Sequence, residues 1–274
     1  MDQTGWGLRE RPFRARLDPR FFFGSPAHEE ALARLHFLVD ERRRVGLLMG
    51  QQGSGKSLVL CVFAAQMRDL GRPVVAVDLL GLDQAGLLWQ LAMGLGLTPK
   101  HNHRTAVLWQ GIVDRLTEYR YQQLNTVVLL DDADQAKSDA ITLVTRLAQH
   151  DLSPESRLTV VLAGRQGRMG RLGRSLLEMA ELRIDLEPWE LADTEGYLKA
   201  SLARAGCQAP VFDASAVARL HELGGGIPRR ISHLADLSLL AGSARSLPQI
   251  DAQTVESVYE ELGVIAVEGG GVVS

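Results

Sequence analysis

One stretch limits the folds open to this chain more than any other: Gly50-Gln-Gln-Gly-Ser-Gly-Lys-Ser57, which fits the pattern G-x-x-x-x-G-K-[ST]. It follows a short apolar run, Val45 to Met49, and precedes SLVLCVFAAQM, a segment of helical length and composition. Strand, glycine-rich turn and helix in that order let the backbone N–H groups from Gly53 to Ser57 turn inward at the positive end of a helix. A cradle of that kind holds phosphate. Lys56 is placed to reach the β and γ phosphates of a nucleotide, and the Ser57 hydroxyl to bind Mg²⁺. Gly50, Gln52, Gly53, Ser54, Gly55, Lys56, Ser57 and Leu58 are therefore the expected nucleotide-binding residues. The bland alternative, an ordinary glycine-rich strand-to-helix turn, is disfavoured by the completeness of the pattern and by its context.

The short apolar run recurs as PVVAVDLL (Pro73 to Leu80), TVVLLDD (Thr126 to Asp132), LTVVLAG (Leu158 to Gly164) and LRIDLEP (Leu182 to Pro188). Long helical segments lie between, so the expected class is α/β, a parallel sheet covered by helices on both faces. Ser25 and Pro26 read as N-cap and first residue of a helix running to about Asp40. After Trp189 the pattern is helices only: Asp193 to Ala205, Asp213 to Leu223, Ile227 to Ala241 and Asp251 to Leu262. Asp213 and Asp251 stand at N-cap positions. The expected organisation is an N-terminal arm (1–24) anchored by Trp6, Phe13 and Phe21 to Phe23, a core domain (25–189), a small all-helical lid (190–263) and a flexible tail (264–274).

The run Val127 to Leu130 ends in Asp131 and Asp132. A buried strand that delivers carboxylates beside a phosphate cradle gives them two roles: Asp131 holds Mg²⁺, usually through water, and Asp132 orients the attacking water. Asp134 is the less favoured substitute. Taken alone, DDAD is a strand followed by an acidic turn, and its partnership with the Gly50–Ser57 turn is what favours the metal role of Asp131.

A net charge of −3 argues against coating nucleic acid by bulk attraction. Cys61 and Cys207 have no metal spacing and read as reduced core thiols. The charged N-terminus lacks an apolar leader region, and no uninterrupted apolar stretch is long enough to span a bilayer, so a cytoplasmic protein is expected. His101 and His103, with no carboxylate or cysteine beside them, read as a surface turn or helix start rather than a metal site.

With DPRFFFGSPAHEEALARL ahead of the first strand, GQQGSGKS, VVLLDDAD and LHELGGGIPRRI, the chain resembles the AAA+ P-loop ATPases of the ExeA/GspA secretion type and their TniB, MuB and TnsC transposition relatives over nearly its whole length. The resemblance implies a P-loop fold in which the acidic (Walker B) strand lies adjacent to, or next but one from, the strand feeding the P-loop (Walker A). It implies ATP and Mg²⁺ as cofactors, self-association into a ring or filament, and a protein partner. Arg229 looks like the second sensor, a lid arginine touching the γ phosphate, with Arg230 as fallback. Arg183 matches the position of an arginine that reaches a neighbouring subunit's ATP. The secretion-type relatives often continue into a membrane segment and an envelope-binding domain; neither is present in these 274 residues, so no direct membrane insertion is expected.

Two departures from the family pattern stand out. Asp132 replaces the usual Glu and is one methylene shorter, which points to slow hydrolysis or to a nucleotide-binding scaffold with little turnover. From Gly164 to Ser175 the chain reads GRQ-GRM-GRL-GRS where the family tends to have Gln-Pro-Glu-Leu. Each glycine costs a helix about 1 kcal/mol relative to alanine, so a flexible loop, or a weak helix only toward Ser175, is expected. Arg165, Arg168, Arg171 and Arg174 would then be mobile cations, either simply solvated or contacting DNA phosphate or a neighbouring subunit. Arg165 or Gln166 falls near the first-sensor position. A DNA-binding regulator of the transposition type is accordingly the alternative function.

Overall fold

The structure, a computed structural model, describes residues 6–13, 17–100 and 104–268. It divides into two compact units, one spanning Asp18–Glu187 and the other formed by Pro188 onward together with the N-terminal segment.

The first unit runs α1 (Pro26–Asp40), β1 (Val45–Gly50), α2 (Lys56–Asp69), β2 (Val74–Asp78), α3 (Gln84–Gly94), α4 (Thr105–Tyr121), β3 (Thr126–Asp131), α5 (Ser138–Ala148), β4 (Leu158–Gly164), α6 (Arg174–Glu178) and β5 (Leu182–Leu186). All five strands are parallel, in the order β2-β3-β4-β1-β5. Successive residues of a strand point to opposite faces, and the two cores divide accordingly. Val45, Leu47 and Met49 of β1, Val128 and Leu130 of β3, and Val160 and Leu162 of β4 pack against α3, α4 and α5. Leu48, Val127, Leu129, Val161 and Ala163 pack on the other face against α1 and α2. The three central strands are buried on both faces, which is why their sequences are continuous apolar runs rather than alternations.

The Gly-Arg-x segment departs from the expected flexible loop. Gln166–Leu172 forms a 3₁₀ helix and α6 follows directly. A 3₁₀ helix has three residues per turn, so side chains at i and i+3 lie on one face. Gln166, Met169 and Leu172, the third residues of the first three repeats, are spaced to fall on one face, and Met169 and Leu172 are buried in the core against the sheet. A repeat of three, unfavourable in an α-helix, suits the tighter one.

In the second unit, α7 (Leu191–Arg204), α8 (Ala214–Gly224), α9 (Pro228–Ala244) and α10 (Ala252–Glu268) surround a separate core. Asp213 caps α8 by accepting from the Ala216 N–H at 2.7 Å, and Asp251 caps α10 by accepting from Thr254 at 2.9 Å. Asp193 lies within α7, at the third position of a capping box with Glu190. Backbone of α10 stays helical to Glu268, beyond the expected end at Leu262. The remainder of the expected tail lies outside the described residues, as do His101 and His103.

In the N-terminal segment Trp6 and Phe13, two of the expected anchors, pack with the helical unit. Leu8 and Phe13 are buried in the helical core, the Arg9 N–H donates to the Ala205 carbonyl at 2.8 Å, and the Trp6 indole donates to the Pro248 carbonyl at 3.1 Å. Among the described residues no helix is long and apolar enough to cross a membrane.

Candidate nucleotide site at the carboxyl edge of the sheet

In parallel α/β sheets ligands gather where the strands end, and here the ends of β1 and β3 carry the expected residues. Beyond Gly50 the chain turns through Gly53 (φ +87°) and Gly55 (φ +100°) into α2. A side chain at Gly50 would place its Cβ 2.6 Å from the Ser54 hydroxyl and 3.1 Å from the Leu186 carbonyl, so glycine leaves the turn room to pack closely. Lys56 is buried and its ammonium donates to the carbonyls of Gly50 at 3.1 Å and Gln51 at 2.9 Å, which folds the side chain back over the turn. Ser54 is buried and its hydroxyl has no hydrogen-bond partner. A buried orphan hydroxyl is costly unless a ligand satisfies it, and an anion in the turn would do so. Gly53, Gly55, Ser57 and Leu58 are half-buried along the same turn, and Gln52 is exposed at its tip.

The acidic strand lies next but one to β1, with β4 between them. Two interstrand spacings separate β1 from β3, about 10 Å. Across that gap Ser57, at the start of α2, is near enough to Asp131 for its hydroxyl to favour the ionised carboxylate. Burial pushes the Asp131 carboxyl above the usual carboxylate range, and the Ser57 hydroxyl and the Asp132 N–H only partly offset it. Two hard oxygen donors, one of them a carboxylate poorly solvated by the protein, suit a divalent cation such as Mg²⁺. Asp132 takes a left-handed conformation (φ +48°), turning the chain sharply off the strand, and its N–H donates to Asp131 Oδ1 at 2.9 Å.

One carboxylate, Asp78, escaped the sequence reading, and another, Asp134, was named there without its partner. Asp78 ends β2 in register with Asp131 and adds repulsion to it; the signal was an aspartate closing a second apolar strand. Asp134 was read only as a less favoured substitute in the acidic run. It is fully buried and accepts from Arg165, through the backbone N–H at 3.1 Å and Nε at 2.8 Å. Arg171 donates to the Asp134 carbonyl at 3.3 Å, and Arg174 pairs with Glu178 at 2.7 Å. The four arginines of the repeat are thus not equivalent mobile cations; Arg165 is half-buried and tied down, whereas Arg168, Arg171 and Arg174 are exposed.

Arg183 lies within the edge strand β5, opposite Leu47 and below the end of β1, with its guanidinium held by Asp185 at 2.8 Å. Arg229 and Arg230 are exposed in the first turn of α9, after Pro228, in the helical unit.

Several known proteins are similar to this chain. Residues 39–172 match the family described as AAA domain. General secretion pathway protein A of Aeromonas hydrophila is 28% identical over 271 residues, an alignment that takes in 97% of this chain and 48% of that protein. The chain therefore spans about half the length of that relative. Among solved structures, Cdc6p of Pyrobaculum aerophilum superposes with a TM-score of 0.71 at 18% identity over 89% of this chain and 71% of that one. The Aeropyrum pernix ORC1 protein, solved in complex with DNA, gives 0.66 at 19% identity over 93% and 70%. The Thermotoga maritima RuvB branch migration motor gives 0.60 at 13% over 92% and 73%. At these identities the solved structures speak for the fold.

Proposed function

We propose that the chain is an AAA+ P-loop ATPase resembling general secretion pathway protein A, and that it binds ATP with Mg²⁺, hydrolyses it and uses the cycle as a conformational and assembly switch. The observation that carries this reading is the buried, orphaned Ser54 hydroxyl in a glycine-rich turn over which the Lys56 ammonium folds back. Backbone N–H groups from Gly53 to Ser57 bind the phosphates, and Lys56 leaves the Gly50 and Gln51 carbonyls to reach them. Ser57 and Asp131 would hold Mg²⁺, which would offset charge on the phosphates. Asp132 orients the attacking water. Its side chain is one methylene shorter than glutamate, and turnover is correspondingly slow.

Two arginines link chemistry to shape. A cation in the first turn of a helix faces the positive end of the dipole and is mildly unfavourable; Arg229 therefore has a reason to be there other than stabilising α9, and we assign it to the γ phosphate. Arg183 sits on an exposed strand edge with a local counter-ion, which suits reaching the ATP of a neighbouring subunit. Supply of such an arginine in trans makes assembly a condition for hydrolysis. Cys61 and Cys207, read from the sequence as reduced core thiols, fit work in the reducing cytoplasm.

The test is ATP affinity with Mg²⁺ by calorimetry, phosphate release, and sizing with and without ATP. Binding weakened by about 10- to 100-fold in Lys56→Ala supports the reading; a wild-type protein that binds no ATP overturns it. A scaffold with little turnover is the second reading, resting on the short Asp132, and steady phosphate release abolished by Asp132→Asn excludes it. DNA binding, a property of the ORC1 neighbour, would rest on exposed Arg168, Arg171 and Arg174; affinity for duplex DNA that is unchanged by salt or by replacing the three excludes that.

A further inference from the structure

The segment ahead of the first strand reaches the phosphate turn through a buried side chain. His28 lies on the first turn of α1 and is only 4% exposed. Its Nε2 is 2.9 Å from the carbonyl oxygen of Ser54, and its Nδ1 is 2.6 Å from the hydroxyl of Ser25. A carbonyl can only accept, so Nε2 carries the hydrogen, and in the neutral ring Nδ1 accepts from Ser25. Ser25 occupies the N-cap position of α1, yet its side chain caps no helix N–H. A group that would ordinarily stabilise a helix end is committed to the histidine instead, and Ser25 is fully buried.

The bond matters because of what it aims. In a planar trans peptide the C=O and the N–H point in opposite directions. Ser54 C=O and Gly55 N–H belong to one peptide unit. Holding the carbonyl toward α1 therefore turns the Gly55 N–H away from it, in the sense that a phosphate cradle requires. The flip is made at Gly55 (φ +100°), and a Cβ there would lie 2.5 Å from His28 Nε2, so histidine and glycine occupy the space jointly. Without His28 the Ser54 carbonyl would be a buried acceptor with no partner, and the peptide would gain by rotating to find one.

We propose that Ser25 and His28 form a clamp on the Ser54–Gly55 peptide, making His28 a positioning residue that presets the phosphate turn for nucleotide. This inference rests on the ATP-binding reading above. Side-chain reach distinguishes the substitutions: the glutamine amide nitrogen falls close to histidine Nε2 and can donate to Ser54, whereas the asparagine amide reaches only as far as Nδ1.

Wild type, Lys56→Ala, Ser25→Ala and the Ala, Gln and Asn variants of His28 are titrated with Mg-ATP, and KM, kcat and unliganded melting temperature are measured for each. The clamp predicts affinity about fivefold to tenfold weaker in His28→Ala and His28→Asn, with the loss in KM rather than kcat. It predicts recovery to within about twofold in His28→Gln, and a smaller loss in Ser25→Ala. Equal affinities in wild type, His28→Asn and Ser25→Ala overturn the clamp, even where His28→Ala fails to fold or melting temperatures fall. In that case Lys56→Ala still weakened leaves the ATP reading standing. A wild type that binds no Mg-ATP overturns both.

Discussion

Asp134 and Arg165 join the two loops that flank the acidic strand tip, Asp134 on the β3 side and Arg165 on the β4 side, with Nε 2.8 Å from Oδ2. The partners are unequally placed: the Asp134 side chain is 0% exposed and the Arg165 side chain 22%. Losing the arginine strands a carboxylate with no access to water, whereas losing the aspartate leaves a guanidinium that can turn to solvent. Arg165→Ala is therefore expected to cost about 3 kcal/mol and Asp134→Ala about 2 kcal/mol, the second discounted for exposure. Urea unfolding of both and of the double variant checks the order. A double variant no worse than Arg165→Ala is the expected coupling; equal and additive losses would show that the pair holds nothing together.

Asp131 offers a test with opposite signs in the free and liganded states. Burial raises its carboxyl above the usual range, so the folded state holds the proton more tightly than the unfolded chain. Stability is then lost as pH rises from the ordinary carboxylate range through the raised folded value, and the deficit persists above it. Asp131→Asn removes that charge. Without ligand it should melt above wild type at pH 7, with the gap closing as pH falls below the carboxylate range. With ATP it should lose the gain that Mg²⁺ gives wild type. Thermal melts across pH, with and without Mg-ATP, read both signs.

How far the sequence foretold this depends on whether the governing contact was local. The central strands were legible because burial on both faces demands continuous apolar runs such as Val127 to Leu130. Their order was not, because β3 and β4 would read alike beside any neighbour. The phosphate turn was legible because its glycines and Lys56 act within eight residues. His28 was not: on α1 it looks like any polar helical residue, and its partner Ser54 is 26 positions away. The Gly-Arg-x segment misled because glycine was weighed against an α-helix, whereas the period of three that buries Met169 and Leu172 belongs to the 3₁₀ form.

The N-terminal segment was hard to place for a related reason: it docks through single residues with no period. Phe13 is 3% exposed and meets Tyr197 and Phe212, each at a ring-centroid distance of 6.0 Å. The Ser232 hydroxyl also donates to its carbonyl at 3.1 Å. Phe13→Ala should destabilise the helical unit by about 3 kcal/mol, the usual cost of emptying a buried aromatic site. Hydrogen exchange should show faster opening of α7 and α9 with the sheet strands unchanged. A loss spread evenly over both units would mean that the segment supports the chain in some other way.

Arg183 and Arg229 can be separated by mixing. If Arg183 serves a neighbour's site, Arg183→Ala binds Mg-ATP as wild type does but releases phosphate about 10³-fold more slowly when assembled. Its own nucleotide site stays intact, so a subunit bearing Lys56→Ala, which has its own Arg183, should restore turnover when the two variants are mixed. Arg229 is assigned to its own chain's γ phosphate. Arg229→Ala should therefore weaken ATP relative to ADP by about tenfold, the worth of a charge-assisted hydrogen bond, and should not be rescued by the same partner. Phosphate release in single and mixed samples, alongside ATP and ADP titrations, makes the comparison. Rescue of both variants would place both arginines in trans; rescue of neither, with Arg183→Ala impaired, would place Arg183 in its own site despite its pairing with Asp185.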